Sequence, residues 1–429
     1  MITVMERRSI LSKPVVRIAT GIGQARRTPG ELERMDEIIV LCAANAYDTF
    51  KLADQHLAES LCRLTPVLYV DPPLSRLTPA RNPAMASSLC GPRLRMITDN
   101  LARLTPVVQP RPSRPGMPPV TAALARRHLT RAVSALGARV RAVVSAWPQY
   151  QVFGVCGEQT RVYWAQDDYV GGAALMGLRP GQVDRLERRV AAAADFVIAS
   201  SLVVADIWRT RGLDVTLIPN GADIAAYVGV DQADLPPDVS LPGPVAGFVG
   251  QINERTDLGL LEAVAERGRS LLLVGPARPG FETRRFAALT GRPNVRWVGP
   301  KPFGTLPGYL RLIDVGLVPY HDSAFNRGSF PLKTLEYLAA GRAVVATDLP
   351  AIRWLSTDLV VTATTAEAFA DKVDDSLTET RSPALAARRA QFAAQHSWAK
   401  RADSFYDAVL ASGRPARTQP DYSRSDHSP

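Results

Sequence analysis

Residues 321–348 read HDSAFNRGSFPLKTLEYLAAGRAVVATD, and within them Lys333 and Glu336 stand three apart just after a proline. A strand ending at Tyr320, a loop and then Pro331 predict a helix that begins at Pro331 and Leu332 and is stopped by Gly341. Proline suits the first helical turn, and glycine the position past the last. The start of such a helix leaves backbone N–H groups unpartnered and carries the positive end of the dipole, which together suit an anion. Lys333 adds a full positive charge. Glu336 lies near the same face one turn on, where a carboxylate can accept from a ribose diol as the acidic residue of dinucleotide folds does. A nucleotide diphosphate fits this arrangement; the competing reading is an ordinary surface ion pair at i,i+3.

A second acidic element is Asp167-Asp168 in VYWAQDDYVGGA (162–173), directly after a predicted strand. Two adjacent carboxylates with no third ligand make a poor metal site, so no metal is expected. Their place suits a proton acceptor or a ligand for a hydroxyl, with Asp168 favoured because Asp167 is nearer the strand and can be occupied in finishing the turn. The competing role is a loop or helix cap. Gly171-Gly172 permits a tight turn beside them. Asn45, Tyr47 and Asp48 follow the first strand, His56 lies near a helix start, and His321 follows another strand; each is a candidate contact to substrate, and each has an equal or better claim as a structural residue. The four cysteines have neither metal-binding nor disulfide-scaffold spacing and read as reduced thiols.

These residues need a scaffold that brings strand ends together. Short apolar runs at 37–44, 67–73, 141–147, 161–167, 195–200 and 215–221 alternate with helical patterns at 51–63, 120–136, 181–194 and 201–211. This is the rhythm of βαβ units and a parallel sheet. Residues 72–119, rich in proline and arginine, read as a long loop with short helices. After the proline- and aspartate-rich 231–244, read as an exposed linker, a second series begins. Its strands fall at 245–250, 270–275, 295–299, 314–320 and 343–347, and its helices near 257–267, 304–312, 331–340, 366–378 and 383–395. The organisation expected is a partly disordered extension (1–36), a first domain (37–230), the linker and a second domain (245–397). A C-terminal helix (398–411), with a return to the first domain left open, and a disordered tail (412–429) follow. Two doubly wound α/β domains place their ligand crevice between the carboxyl ends of both sheets.

The net charge of +10 is concentrated in the first half, where residues 61–157 hold 13 basic and 2 acidic residues. Such a segment attracts phosphates, whether in nucleic acid, lipid headgroups or a substrate. Leu89, Leu94 and Met96 are expected to be exposed beside it. No run approaches the ~20 apolar residues of a membrane span, and the first 35 residues lack a signal-peptide pattern, so a cytosolic location is expected.

Taken in order over 245–348, FVGQI, LLLVGP, NVRWVG, DVGLVPY, PLKTLEYLAAG and VVATD resemble the nucleotide-sugar-binding domain of GT-B glycosyltransferases of the large group-one type. LIPNGAD (217–223) is similar to the segment that leads between domains in that family. In the first half NAYD (45–48), DQHLAESL (54–61), VLYVDPP (67–73) and VYWAQDDYVGGA resemble the teichuronic-acid-type branch. The resemblance implies an α/β GT-B fold of two Rossmann-like domains facing a central crevice. It also implies transfer of a sugar from a nucleotide diphosphate donor, UDP- or GDP-linked, to a lipid-linked or cell-envelope glycan. No cofactor and no nucleic acid are implied, and the enzyme would sit peripherally at the inner face of an anionic membrane.

By the same resemblance Lys333, with Pro331 and Leu332, serves the diphosphate and Glu336 the ribose. Many family members carry a glutamate where this chain has Gly328. The usual basic pair after the first strand of the second domain is reduced to Arg255, which remains the candidate for the leaving diphosphate. Two alternatives stand: a nucleotide-sugar 2-epimerase of the same fold, which would need acids and histidines in the second-domain crevice, where His321 alone is a candidate, and a basic nucleic-acid-binding protein, for which no recognition motif is present.

Overall fold

The computed structural model describes residues 36–48, 51–80, 85–110, 117–148, 151–378 and 382–412. The expected extension, apart from Asp36, and the expected tail, apart from Ser412, lie outside them. Eight strands build the first sheet: β1 (Glu37–Cys42), β2 (Val67–Val70), β3 (Leu94–Thr98), β4 (Leu101–Leu104), β5 (Arg139–Ser145), β6 (Thr160–Ala165), β7 (Phe196–Ala199) and β8 (Val215–Leu217). Their order is β8-β7-β6-β5-β1-β2-β4-β3, and every pairing is parallel except β3 with β4. A second sheet, β11-β10-β9-β12-β13-β14, is wholly parallel, from β9 (Val245–Val249), β10 (Ser270–Val274), β11 (Val295–Trp297), β12 (Val315–Val318), β13 (Ala343–Thr347) and β14 (Val360–Ala363). Most of the central strands are apolar along their whole length because helices cover both faces, the usual condition of a parallel sheet.

Six helices bear on the site: α1 (Ala53–Leu61), α2 (Pro180–Ala192), α3 (Leu202–Arg209), α4 (Ala324–Gly328), α5 (Leu332–Ala339) and α6 (Trp398–Ala411). The last follows the second sheet in the chain but packs on the first. Trp398, Ala402, Phe405 and Val409 share a buried cluster with Leu57 and Leu61 of α1 and Trp164 of β6. The chain therefore crosses between the sheets twice, and the crossings lie side by side. The Ala222 N–H donates to the His396 carbonyl (2.9 Å) and the Trp398 N–H to the Ala222 carbonyl (3.2 Å). Gly221 is required there, since a Cβ would lie 2.6 Å from the Trp398 nitrogen.

Three expectations are corrected. The segment 72–119 is not one long loop: β3 and β4 form an antiparallel hairpin, and β4 adds to β2 in parallel register. Leu94 and Met96 consequently pack against the core instead of lying exposed. The stretch 231–244 is not a free linker but a strap on the second lobe. Asp238 accepts from Lys301 Nζ (2.6 Å) and the Tyr309 hydroxyl (2.8 Å), Arg342 pairs with Asp231, and Gly308 makes room for the Asp234 carbonyl. Finally, Arg103 is not part of a basic surface. It is fully buried, with Nε 2.8 Å from Asp71 Oδ2 and Nη1 2.6 Å from Asp48 Oδ2.

Candidate active site

Helix α5 begins at Leu332 with Pro331 as its N-cap, and Gly341, at φ 74°, turns the chain beyond its end into β13. Thr334, Leu335, Tyr337 and Leu338 are buried against the sheet, which leaves Lys333 and Glu336 on the opposite face. The Tyr337 hydroxyl accepts from the Val249 N–H (2.8 Å), and Gly316 is the residue that admits the tyrosine ring, since a Cβ there would lie 2.2 Å from it. The second turn of the helix is thus tied to the end of β9. Lys333 Nζ lies 2.7 Å from Glu336 Oε2. Burial opposes the charged ammonium, but the Glu336 carboxylate outweighs it and lifts the Lys333 pKa above its ordinary value.

Arg255 lies in the loop after β9. Its Nε donates to Asn326 Oδ1 (2.9 Å), and its guanidinium stands over the rings of Tyr320 (5.1 Å) and Phe325 (4.9 Å). Asn326, buried in α4, also donates its side-chain amide to the carbonyls of Arg255 and His321. These contacts hold the guanidinium in one orientation. Sequence reasoning missed Asn326, 71 residues from its partner, because no local pattern announces it.

On the first lobe the two aspartates make different contacts, and it is Asp168, not Asp167, that is taken up by the turn. Asp168 Oδ1 accepts from the Gly171 N–H (2.8 Å), so Asp168 closes the turn. Asp167 instead accepts from the Ser329 hydroxyl (2.8 Å) of the second lobe. Burial raises its pKa, against the opposing pull of the Arg255 charge and the Ser329 hydrogen bond. The lobes meet closely here: a Cβ on Gly172 would lie 2.5 Å from the Phe325 ring, and one on Gly328 would lie 2.8 Å from Asp168 Cβ. Ser201 Oγ donates to the Gly328 carbonyl (2.6 Å). Gly171-Gly172 is therefore explained by close approach, and Gly328 by the same contact.

The remaining candidates fare differently. His56 stacks on Trp398 with ring centres 5.6 Å apart and lies 3.9 Å from Asp223; burial, aided by Lys51, pulls its pKa down, while Asp223, Glu59 and Glu336 oppose this. It is within electrostatic reach of α5. Asn45 donates twice to the buried Asp54, which also accepts from Gln166 (2.5 Å). The Tyr47 hydroxyl donates to Glu59 (3.0 Å), and Asp48 is occupied by Arg95 and Arg103. These three are internal struts. His321 lies 3.2 Å from Asp257, the N-cap of the helix Leu258–Glu266. Among the described residues no group of three or more histidine, cysteine, aspartate or glutamate side chains is placed to hold a metal, and no helix is long and apolar enough to cross a membrane.

Residues 243–379 match the family described as glycosyl transferases group 1. Over 186 residues the chain is 35% identical to the Bacillus subtilis (strain 168) protein TuaH, which bears the name of a teichuronic acid biosynthesis glycosyltransferase. That match spans 41% of this chain and 46% of TuaH, less than half of the relative's length. Among solved structures, sucrose-phosphate synthase (tll1590) from Thermosynechococcus elongatus superposes with a TM-score of 0.67 at 17% identity, covering 88% of this chain and 99% of that one. Anabaena Alr3699/HepE, in complex with UDP and glucose, gives 0.61 at 15% identity, covering 88% of this chain and 100% of that one.

Proposed function

With a group 1 glycosyltransferase domain at 243–379 and a GT-B fold throughout, we propose that the chain transfers a sugar from a UDP- or GDP-linked donor to a lipid-linked or cell-envelope glycan acceptor. The observation that carries this is the geometry of α5: a helix start that no side chain caps and a lysine–glutamate pair on the one face of the helix turned away from the sheet. In this reading Glu336 accepts from the donor ribose. Lys333 and the backbone N–H groups that follow Pro331, beginning with that of Leu332, hold the diphosphate, and Arg255 stabilises the charge that develops on it as the anomeric C–O bond breaks. Asp167, with its raised proton affinity, takes the proton from the acceptor hydroxyl. The UDP and glucose bound by HepE support this choice of donor class, and the name of TuaH supports an envelope glycan acceptor.

Glu336→Ala and Lys333→Ala are each expected to weaken UDP or GDP binding by about 1.5–3 kcal/mol while leaving the fold intact, since a charge-assisted contact is lost from a partly exposed face. Calorimetric titration of both variants checks this; nucleotide affinity unchanged in both removes the donor site from α5.

The acceptor reading places the first lobe at an anionic membrane surface, supported by the basic excess of 61–157 and by exposed Leu64, Leu77 and Val120. Each nearby cation contributes about 1 kcal/mol at low salt. Sedimentation with anionic vesicles is expected to fall as salt rises; equal sedimentation with neutral vesicles would contradict it.

A further inference from the structure

Behind the Asp167-Asp168 turn the first lobe contains a cavity of about 280 Å³ between that turn, α2 and α3. One wall is apolar: Val204, Ile207 and Trp208 stand at i, i+3 and i+4 on α3 and so share a face. The other walls are polar and incompletely used. Glu187 of α2 is buried, and its Oε1 accepts from the Tyr163 hydroxyl (2.6 Å), which leaves the second carboxyl oxygen for a ligand. Arg211 gives one nitrogen, Nη2, to Asp184 (2.9 Å), whereas its Nη1 is buried with no hydrogen-bond partner. Asp168 spends only Oδ1 on the Gly171 turn. A buried donor without a partner needs an occupant that can accept from it.

The occupant's chemistry follows from these walls. A purely apolar molecule leaves Arg211 Nη1 unpaired, and an anion meets the carboxylates of Asp168 and Glu187 as well as the arginine. A ring with hydroxyls on its rim and C–H groups on its face satisfies both kinds of wall. The volume, that of roughly nine waters at ~30 Å³ each, lies at the small end of ligand pockets and admits a single ring. We propose that this cavity receives one pyranose unit of the acceptor glycan, its hydroxyls on Glu187, Asp168 and Arg211 and its apolar face on Val204, Ile207 and Trp208. The assignment rests on the sugar-transfer reading above. Burial pushes the Glu187 carboxyl up to about 7, so near neutral pH it is divided between forms that donate to and accept from a hydroxyl.

The test uses the full chain and a panel of methyl pyranosides (gluco, galacto, manno and N-acetylgluco) at millimolar concentration, read by saturation-transfer NMR. At least one pyranoside is expected to receive saturation from the parent protein. Ile207→Trp, which fills the cavity, should abolish the signal, and Arg211→Gln, at the partly exposed rim, should weaken it several-fold. Circular dichroism of the same samples reports folding, and UDP and GDP titrations report the α5 site. No signal from any pyranoside with the parent protein, or a signal unchanged in both variants, overturns the proposal. Pyranoside binding lost in the variants, with no nucleotide binding in any sample, keeps the sugar cavity and sinks the donor reading instead.

Discussion

Asp167→Asn is expected to bind UDP or GDP as the parent chain does and to transfer sugar roughly 10²–10⁴-fold more slowly, the usual contribution of a positioned general base. The amide preserves the hydrogen bond from Ser329, so the lobes stay in register while the proton acceptor is lost. Asp168→Asn is the comparison: an amide oxygen can still accept from the Gly171 N–H and close the turn, so the loss there should fall on the KM for acceptor and not on kcat. The pH profile adds a second readout. Burial raises the Asp167 pKa, with Arg255 and Ser329 only partly opposing; a base works when deprotonated, so activity should climb with pH through a pKa above the ordinary carboxylate range. That acidic limb should vanish in Asp167→Asn. Near-normal turnover in Asp167→Asn, or equal losses in both variants, would take Asp167 out of the proton transfer.

The second large effect concerns stability. Arg103→Leu should lower the unfolding free energy by about 3–5 kcal/mol, because it leaves Asp71 and Asp48 without the charge that compensates them. Asp71 is buried, and besides Arg103 it takes the Thr105 hydroxyl (2.6 Å) and the Tyr47 N–H (2.9 Å). Burial raises the Asp71 pKa even with the guanidinium present, so loss of the cation drives it further toward the neutral form. Arg103→Lys should recover only part of the loss, since one ammonium cannot reach both aspartates as the planar fork does. Urea unfolding measures both; a loss under about 1 kcal/mol for Arg103→Leu would mean the network is not what supports this edge of the sheet.

Arg103 also shows where reading the sequence stops. The alternation of apolar runs and helical periods was legible because a parallel sheet covered on both faces needs unbroken apolar strands. Helix α5 was legible because Pro331 and Gly341 bracket it. The β3–β4 hairpin was not, since Arg95 and Arg103 interrupt its apolar pattern and the partner that neutralises Arg103 lies 32 residues away. At the site, Lys333 and Glu336 could be paired by helical spacing alone. Which of two neighbouring aspartates turns inward could not, because that depends on Gly171 completing a turn with one of them and Ser329, 162 residues on, meeting the other. Arg255 was found through resemblance; the aromatic pair and Asn326 that orient it are set by tertiary packing.

The return of α6 decides what an attachment to this protein would report. The described chain leaves at Ser412, whose Oγ is 3.2 Å from Thr160 Oγ1 in β6. A fluorophore or fusion partner placed after that residue therefore rides on the first lobe, although the hundred and fifty or so residues before α6 belong to the second. A reporter on 366–378, a helix packed on the second sheet, would move with the other lobe. With one label at each position, a single distance would follow any opening of the crevice. A truncation ending near 397 would strip Trp164 and Leu57 of the cover that α6 gives them and leave the first lobe, not the second, without part of its core.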